Sequence, residues 1–192
     1  MQLGWKERLG EALRKASAEP MPEEGARAAV AMVIDPGGRL WMMVRAERDG
    51  DPWSGHVSFP GGREEASDAD LLATACRETH EEVAWPITAA DCLGALDPVR
   101  SPVGGRSAVV VQPFVFWSEA PPESQLNHEV AEVFSVSLMD LMVGAGRGEF
   151  TLRWSGHEVL LPCVDIAERR LWGMSLRMVD DLLERLRLHE TS

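Results

Sequence analysis

Residues Trp53–Trp85 read WSGHVSFPGGREEASDADLLATACRETHEEVAW. A short run, His56–Phe59, with Val57 and Phe59 alternating with polar residues, has the length of a strand and ends at the corner Pro60-Gly61-Gly62. The segment from Asp68 to Val83 then carries the spacing of a helix, with Ser67 or Asp68 as the expected N-cap, because a short oxygen-bearing side chain can accept one of the orphan N–H groups there. Within six residues this helix gathers Arg77, Glu78, Glu81 and Glu82. The chain already carries a net charge of −12. A further concentration of acid is therefore either a solvated face or a seat for a cation.

At about 100° per residue, Glu78, Glu81 and Glu82 fall within an arc of roughly 100°. Like charges at this spacing cost an isolated helix about 0.2–0.5 kcal/mol per pair, which a bound divalent cation would offset. Arg77, four residues before Glu81, can brace that carboxylate. Leu72, Cys76, Thr79 and Val83 form the side suited to packing on a sheet, and His80 points away from the acids. A Glu-rich helix alone is usually a solvated face. The preceding strand, the Pro-Gly-Gly corner and Asp68 shift the reading toward oxygen ligands for a hard ion, Mg2+ first and Mn2+ second.

Outward from this stretch, ARAAVAMVID and RLWMMVRAE are strand-length runs joined by PGG, the pattern of a hairpin. CLGALDPV and SAVVVQPFVFW extend the strands, the second bent or placed at an edge by Pro113. EVFSVSL leads into a small helix, LMDLMVGA. FTLRWSGHEVLLPCV is a last hairpin turning at Ser155-Gly156, and RLWGMSLRMVDDLLERLRL a closing amphipathic helix. Leu3, Leu9 and Leu13 with Trp5 predict a first helix within residues 1–20. Many strands with a helix in the middle and one at each end make an α+β sandwich, read as a single domain over 1–192 with a core at 26–183.

Composition agrees with a globular chain: 45% hydrophobic and 26% charged residues over 192. Asp plus Glu number 31 against 19 Lys plus Arg, which argues against nucleic acid and anionic membrane surfaces as partners. No segment has the length and apolarity of a signal peptide core or membrane span, so a cytoplasmic protein is expected. Cys76, Cys92 and Cys163 are widely spaced and form no CxxC pair, reading as small buried hydrophobes.

Gly61, Gly62, Asp68, Arg77, Glu78, Glu81 and Glu82 together resemble the signature of the Nudix hydrolases over residues 61–85. That signature is a Gly-Gly corner, an acid, then R-E-U-x-E-E-x-G-U on a helix, with U bulky and apolar. The Gly62-to-Arg77 spacing is one residue longer than the commonest form, and Asp68 stands where Glu is usual. Both features, with VSFPGG, TACRET, NHEVAEVF and LWGMSLRMV, are similar to the coenzyme A pyrophosphatase branch from about Ala26 to Leu183. Trp53 and His56 depart from that branch, which carries His and Gln there, and Ala84 replaces the signature glycine.

The resemblance implies a Nudix-type α/β/α sandwich with a mixed central sheet, and Mg2+-dependent hydrolysis of a nucleoside diphosphate linked to another group. The favoured substrate is coenzyme A or acyl-coenzyme A, with a nucleoside diphosphate sugar, ADP-ribose or a dinucleotide as alternatives within the class. A non-catalytic Nudix-fold binding module is the alternative of another class. It assigns Glu78, Glu81 and Glu82 as metal ligands, with the Gly61 carbonyl as a further one and Arg77 as the brace. The general base is Glu82 or Glu78, with Glu129 as a second candidate. Arg45, Arg63, Arg100 and Arg106 are candidates for substrate phosphates, and Trp53 either stacks on a base or packs on its loop. Trp172 is expected in the core. Dimers are common in the family, so a homodimer is admitted.

Overall fold

The computed structural model describes residues 4–15, 18–21, 25–49, 53–101, 108–120, 125–154 and 156–190. The first helix, α1 (Trp5–Lys15), buries Leu9, Ala12 and Leu13. β1 (Ala26–Ile34) and β2 (Arg39–Arg45) form the expected antiparallel hairpin. Asp35 closes its turn, its Oδ1 accepting the N–H groups of Gly37 (2.9 Å) and Arg39 (3.1 Å).

β1 and β2 pair only near this turn, through Val33 with Trp41 and Ile34 with Leu40. Beyond it they part, and the segment after the loop fills the opening. β3 (Val57–Ser58) pairs with β2, while β4 (Gly61–Arg63) pairs with β1, Gly61 opposite Val30 and Gly62 opposite Ala29. The Ala31 N–H donates to the Pro60 carbonyl at 2.8 Å, stitching the crossing point. The Gly-Gly corner is thus itself a strand, and the four-residue strand expected at His56–Phe59 is cut to two.

β7 (Val109–Trp117) runs parallel to β1 along its whole length and antiparallel to β5 (Cys92–Ala95) and β6 (Val99–Arg100). Pro113 was expected to bend this strand or mark an edge; instead β7 is internal. The proline sits where β5 gives way to β6. The Leu96 N–H donates to the Pro113 carbonyl (3.0 Å), and the return donor that proline lacks is replaced by the Gln112 side-chain amide, bonded to the Leu96 carbonyl at 2.6 Å. β8 (Val130–Ser137) completes the mixed sheet along the other side of β2, bulging where Val44 faces Glu132 but Arg45 faces Val130.

Alternation along β1 decides the layers. Ala29, Ala31 and Val33 face α2 (Leu71–Val83), together with Met43, Leu71, Ala75, Val83 and Phe116. Ala28, Met32 and Ile34 face α1 and α4 (Gly173–Glu190), against Leu9, Leu176, Val179 and Leu183. An α/β/α sandwich results.

α3 (Leu138–Met142) follows β8. β9 (Arg147–Trp154) and β10 (His157–Ile166) form the expected late hairpin. β11 (Arg169–Trp172) then pairs with β10, making a second, three-stranded sheet. The closing helix was expected to begin in these residues; it begins at Gly173, in the left-handed region (φ 65°).

Candidate active site

α2 brings the acids to the opening between β1 and β2. Its N-cap is Asp70, not Ser67 or Asp68: the Asp70 Oδ1 accepts the Ala73 N–H at 2.8 Å. Asp68 is left free for another task. Its carboxylate accepts from Arg77 Nε (2.9 Å) and Nη2 (3.0 Å), from the Glu65 N–H (2.9 Å) and from the Thr74 hydroxyl (2.8 Å). The two bonds from Arg77 hold the Asp68 carboxyl well below the usual carboxylate range, and the guanidinium correspondingly above its own.

Arg77 does reach Glu81 (Nη1 to Oε2, 3.2 Å), but the same Nη1 also bonds Glu78 at 3.0 Å, and Nη2 donates to the Arg63 carbonyl at 3.2 Å. Asp68 is therefore the anchor and Arg77 the arm that orients two acids. The Asp68 role depends on a contact nine residues away, visible in sequence only through the family pattern.

The three glutamates differ in setting. Glu81 is half exposed (53% of its side chain) and Glu78 largely covered (18%). Glu82 is buried at 3% exposure and accepts the Gly61 N–H at 2.8 Å. Burial first, then the charges of Glu78 and Glu129, push the Glu82 carboxyl up to about 8 against the opposing Gly61 bond and the Arg45 charge. Burial likewise raises Glu78, helped by Glu81 and Glu129 and opposed by Arg77. Within the helix, the packing side is thus Leu71, Thr74, Ala75, Thr79, Glu82 and Val83, while Leu72 and Cys76 are only half-buried.

Both glycines of the corner are required by close approach. Gly61 has φ 152°, and a side chain there would collide with the Ala29 carbonyl and the Val30 backbone. A Cβ at Gly62 would lie 2.5 Å from the Glu78 Cδ. Gly61 lets the amide reach Glu82, and Gly62 clears the niche for Glu78.

Glu129 comes to the same place from the start of β8. The Asn127 N–H donates to the Glu82 carbonyl (2.9 Å), the Glu129 N–H donates to Asn127 Oδ1 (2.8 Å), and the Ala46 N–H donates to the Glu129 carbonyl (2.7 Å). Arg48 Nη2 lies 3.3 Å from Glu129 Oε1. Asn127, within the NHEVAEVF segment that is similar to the branch, and Arg48, on the loop after β2 and without a local sequence signal, thus join the site through long-range pairings.

Among the candidate phosphate ligands, Arg45 is brought close enough to act on Glu82. Arg63 has an exposed side chain and lends the site its carbonyl. Arg100 lies farther along the sheet, exposed on β6 and separated from Arg27 by Val110, so it is not gathered with the acids. Arg106 lies outside the described residues. Trp53 packs edge-on against His56 (5.9 Å), and His56 against Trp172 (4.9 Å). Trp172, expected in the core, instead lines an open cleft of about 360 Å³ with Val44, His56, Val57, Glu132 and Arg169. Val44 alternates with Arg45 along β2, so this cleft lies on the opposite face of the sheet from the acids. His80 is exposed and Cys163 buried; burial pushes the Cys76 thiol up to about 11, leaving it protonated at neutral pH.

Among the described residues no three His, Cys, Asp or Glu side chains form a ready-made metal cage; the Arg77 guanidinium bridges Glu78 and Glu81 instead. The donors still fit a hard divalent ion in kind: all are carboxylate oxygens, and the neighbouring carboxylates that add to the effect of burial in raising Glu78 and Glu82 are a charge excess a cation relieves.

The NUDIX domain pattern matches residues 25–154. The chain belongs to the Nudix family. It is 39% identical over 134 residues to the Nudix hydrolase NudL of Cronobacter sakazakii, covering 67% of this chain and 66% of that one. With the human mitochondrial coenzyme A diphosphatase NUDT8 it shares 31% identity over 150 residues, 77% of this chain and 62% of that one. The match thus spans just under two thirds of these relatives' length. In fold it is similar to the MutT protein of Methanosarcina mazei Go1 (TM-score 0.57, 18% identity, covering 90% of this chain and all of that one). A MutT/nudix family protein of Enterococcus faecalis matches with the same TM-score, at 15% identity, over the whole of this chain and 76% of that one. The fold of this Nudix chain, a mixed sheet between helices, is the one the sequence predicts.

Proposed function

We propose that this Nudix protein is a pyrophosphohydrolase that cleaves the diphosphate of a nucleoside diphosphate linked to another group. Mg2+ is its metal, with Mn2+ as a substitute. Coenzyme A or acyl-coenzyme A is the favoured substrate, giving phosphopantetheine or its acyl form and adenosine bisphosphate. The observation that carries this reading is the buried Glu82, fixed on the Gly61 amide and surrounded by further acids. Burying a carboxylate beside others is costly for folding and is best explained by what it binds.

Glu78, Glu81 and Glu82 would hold the cation, with the Gly61 carbonyl as a further donor. When bound, it neutralises the diphosphate and lowers the pKa of attacking water. Glu82 or Glu78, with Glu129 as the second candidate, takes the proton from that water. Arg77, anchored on Asp68, keeps Glu78 and Glu81 in position. Arg45 and Arg63, with Arg106, supply the cations for substrate phosphates, and Trp53 stacks on the base or packs its loop.

The coenzyme A preference rests on the kinship with NUDT8 and on the long Gly62-to-Arg77 spacing with Asp68. Trp53 and His56, which replace the His and Gln of that branch, favour the second reading, a nucleoside diphosphate sugar, ADP-ribose or a dinucleotide. A non-catalytic binding module is disfavoured because every acid of the signature helix is retained. We place the enzyme in the cytoplasm as a single domain over 1–192, working as a homodimer. Among the described residues no helix is long and apolar enough to cross a membrane.

A hydrolysis screen with Mg2+ and Mn2+ over coenzyme A, acyl-coenzyme A, ADP-ribose, nucleoside diphosphate sugars, dinucleoside polyphosphates and nucleoside triphosphates tests the assignment. Coenzyme A turnover no better than that of ADP-ribose would remove the branch preference and leave the family activity.

A further inference from the structure

β9 is an outer strand. Among the described residues it pairs with β10 alone, so its other edge carries an eight-residue row of backbone groups with no strand partner. The hairpin also has two unlike faces. Phe150 opposite Leu161 and Leu152 opposite Val159 make one side apolar, while Glu149, Thr151 and Arg153 occupy the other. Val159 is 42% exposed and Leu160, on the Thr151 side, 61%. An exposed, proline-free edge of this length with apolar flanks is a template for strand addition.

We infer that this edge seats the same strand of a second copy of the chain, antiparallel, with Thr151 on the two-fold axis. This specifies the interface of the homodimer proposed above. In that register Glu149 faces Arg153 of the second copy, twice by symmetry, and Phe150 faces Leu152, so charge meets opposite charge and apolar meets apolar. Other registers fail. A slip of one residue sets Phe150 against Thr151 or Arg153 and mixes the two faces. A slip of two toward the N-terminus sets Arg147 against Arg153, and a slip of two the other way leaves Glu149 without a charged partner. The product is a six-stranded sheet in which two three-stranded sheets join edge to edge.

The interface is connected by ring contacts to the cleft on the opposite face of the sheet from the acids. Phe150 packs on Trp172 at 5.3 Å, Trp172 on His56 at 4.9 Å, and His56 on Trp53 at 5.9 Å. Strand pairing would brace the loop that carries Trp53.

Light scattering on the purified chain at micromolar concentration should give the mass of a dimer. Glu149→Arg, at an exposed position outside the candidate site, should weaken that dimer about tenfold or more by placing like charges across both symmetric pairs. Thr151→Cys should form a disulfide-linked dimer on oxidation that the parent chain does not form. A monomer, a dimer unaffected by Glu149→Arg, or a Thr151→Cys chain that does not cross-link overturns the proposal. None of these readouts involves hydrolysis, so failure here is distinct from failure of the proposed reaction.

Discussion

Glu82 and Asp68 are carboxylates set to opposite ends of the acidity range by their surroundings. Burial pushes Glu82 up to about 8 from an ordinary 4.5, so the metal-free folded chain retains a proton that the unfolded chain releases. The sign is a loss of stability as pH rises through that window. Glu82→Gln keeps an acceptor for the Gly61 amide and removes the titration. In metal-free denaturant melts the variant should match the parent near about pH 4 and exceed it progressively toward about pH 9. Its hydrolysis should fall on the order of a hundredfold or more. Asp68 behaves in reverse. The Arg77 bonds depress it, so its stabilisation is full above the ordinary carboxylate range and lost in acid. Asp68→Asn should cost about 2 kcal/mol at neutral pH, a deficit that narrows below about pH 4 in the same melts.

The signature helix ends on a residue that strains it. Ala84 caps α2 in the left-handed region (φ 51°), its N–H bonded to the His80 carbonyl at 3.0 Å. Ala84→Gly should relieve about 1 kcal/mol and raise the melting temperature by about 2–4 °C, with hydrolysis unchanged; a melting temperature that falls would show the left-handed cap to carry no strain. This helix, its acids and the β1–β2 hairpin are legible in sequence because their signals are local: a period of 3.6, a Pro-Gly-Gly turn, acids three and four apart. What is not legible depends on distant partners. Asp68, Asp70 and Ser67 compete for one cap, and only the Arg77 contact separates their roles. Pro113 is tolerated inside the sheet because Gln112 supplies the missing donor to Leu96. β11 is too short, and too close to α4, for its pattern to stand apart.

Across the molecule, the parted β1–β2 hairpin is the organising feature. It admits β4, presents the Gly61 amide to Glu82, and opens the sheet beneath α2 where the acids gather. The chain's excess of Asp and Glu, 31 against 19 basic residues, would repel a diphosphate, so binding one demands metal ions or a local cluster of arginines to reverse the field. The family pattern names the acids, whereas the setting of the loop bearing Trp53 and His56 is less legible, because it is fixed by ring contacts with Trp172 on a distant strand. The most direct test is a phosphorus NMR assay of coenzyme A hydrolysis with and without Mg2+, for the parent chain and Glu81→Gln. The account predicts Mg2+-dependent appearance of phosphopantetheine and adenosine bisphosphate in the parent, and loss of both in the folded variant. Cleavage that is independent of Mg2+, or undiminished in Glu81→Gln, would contradict it.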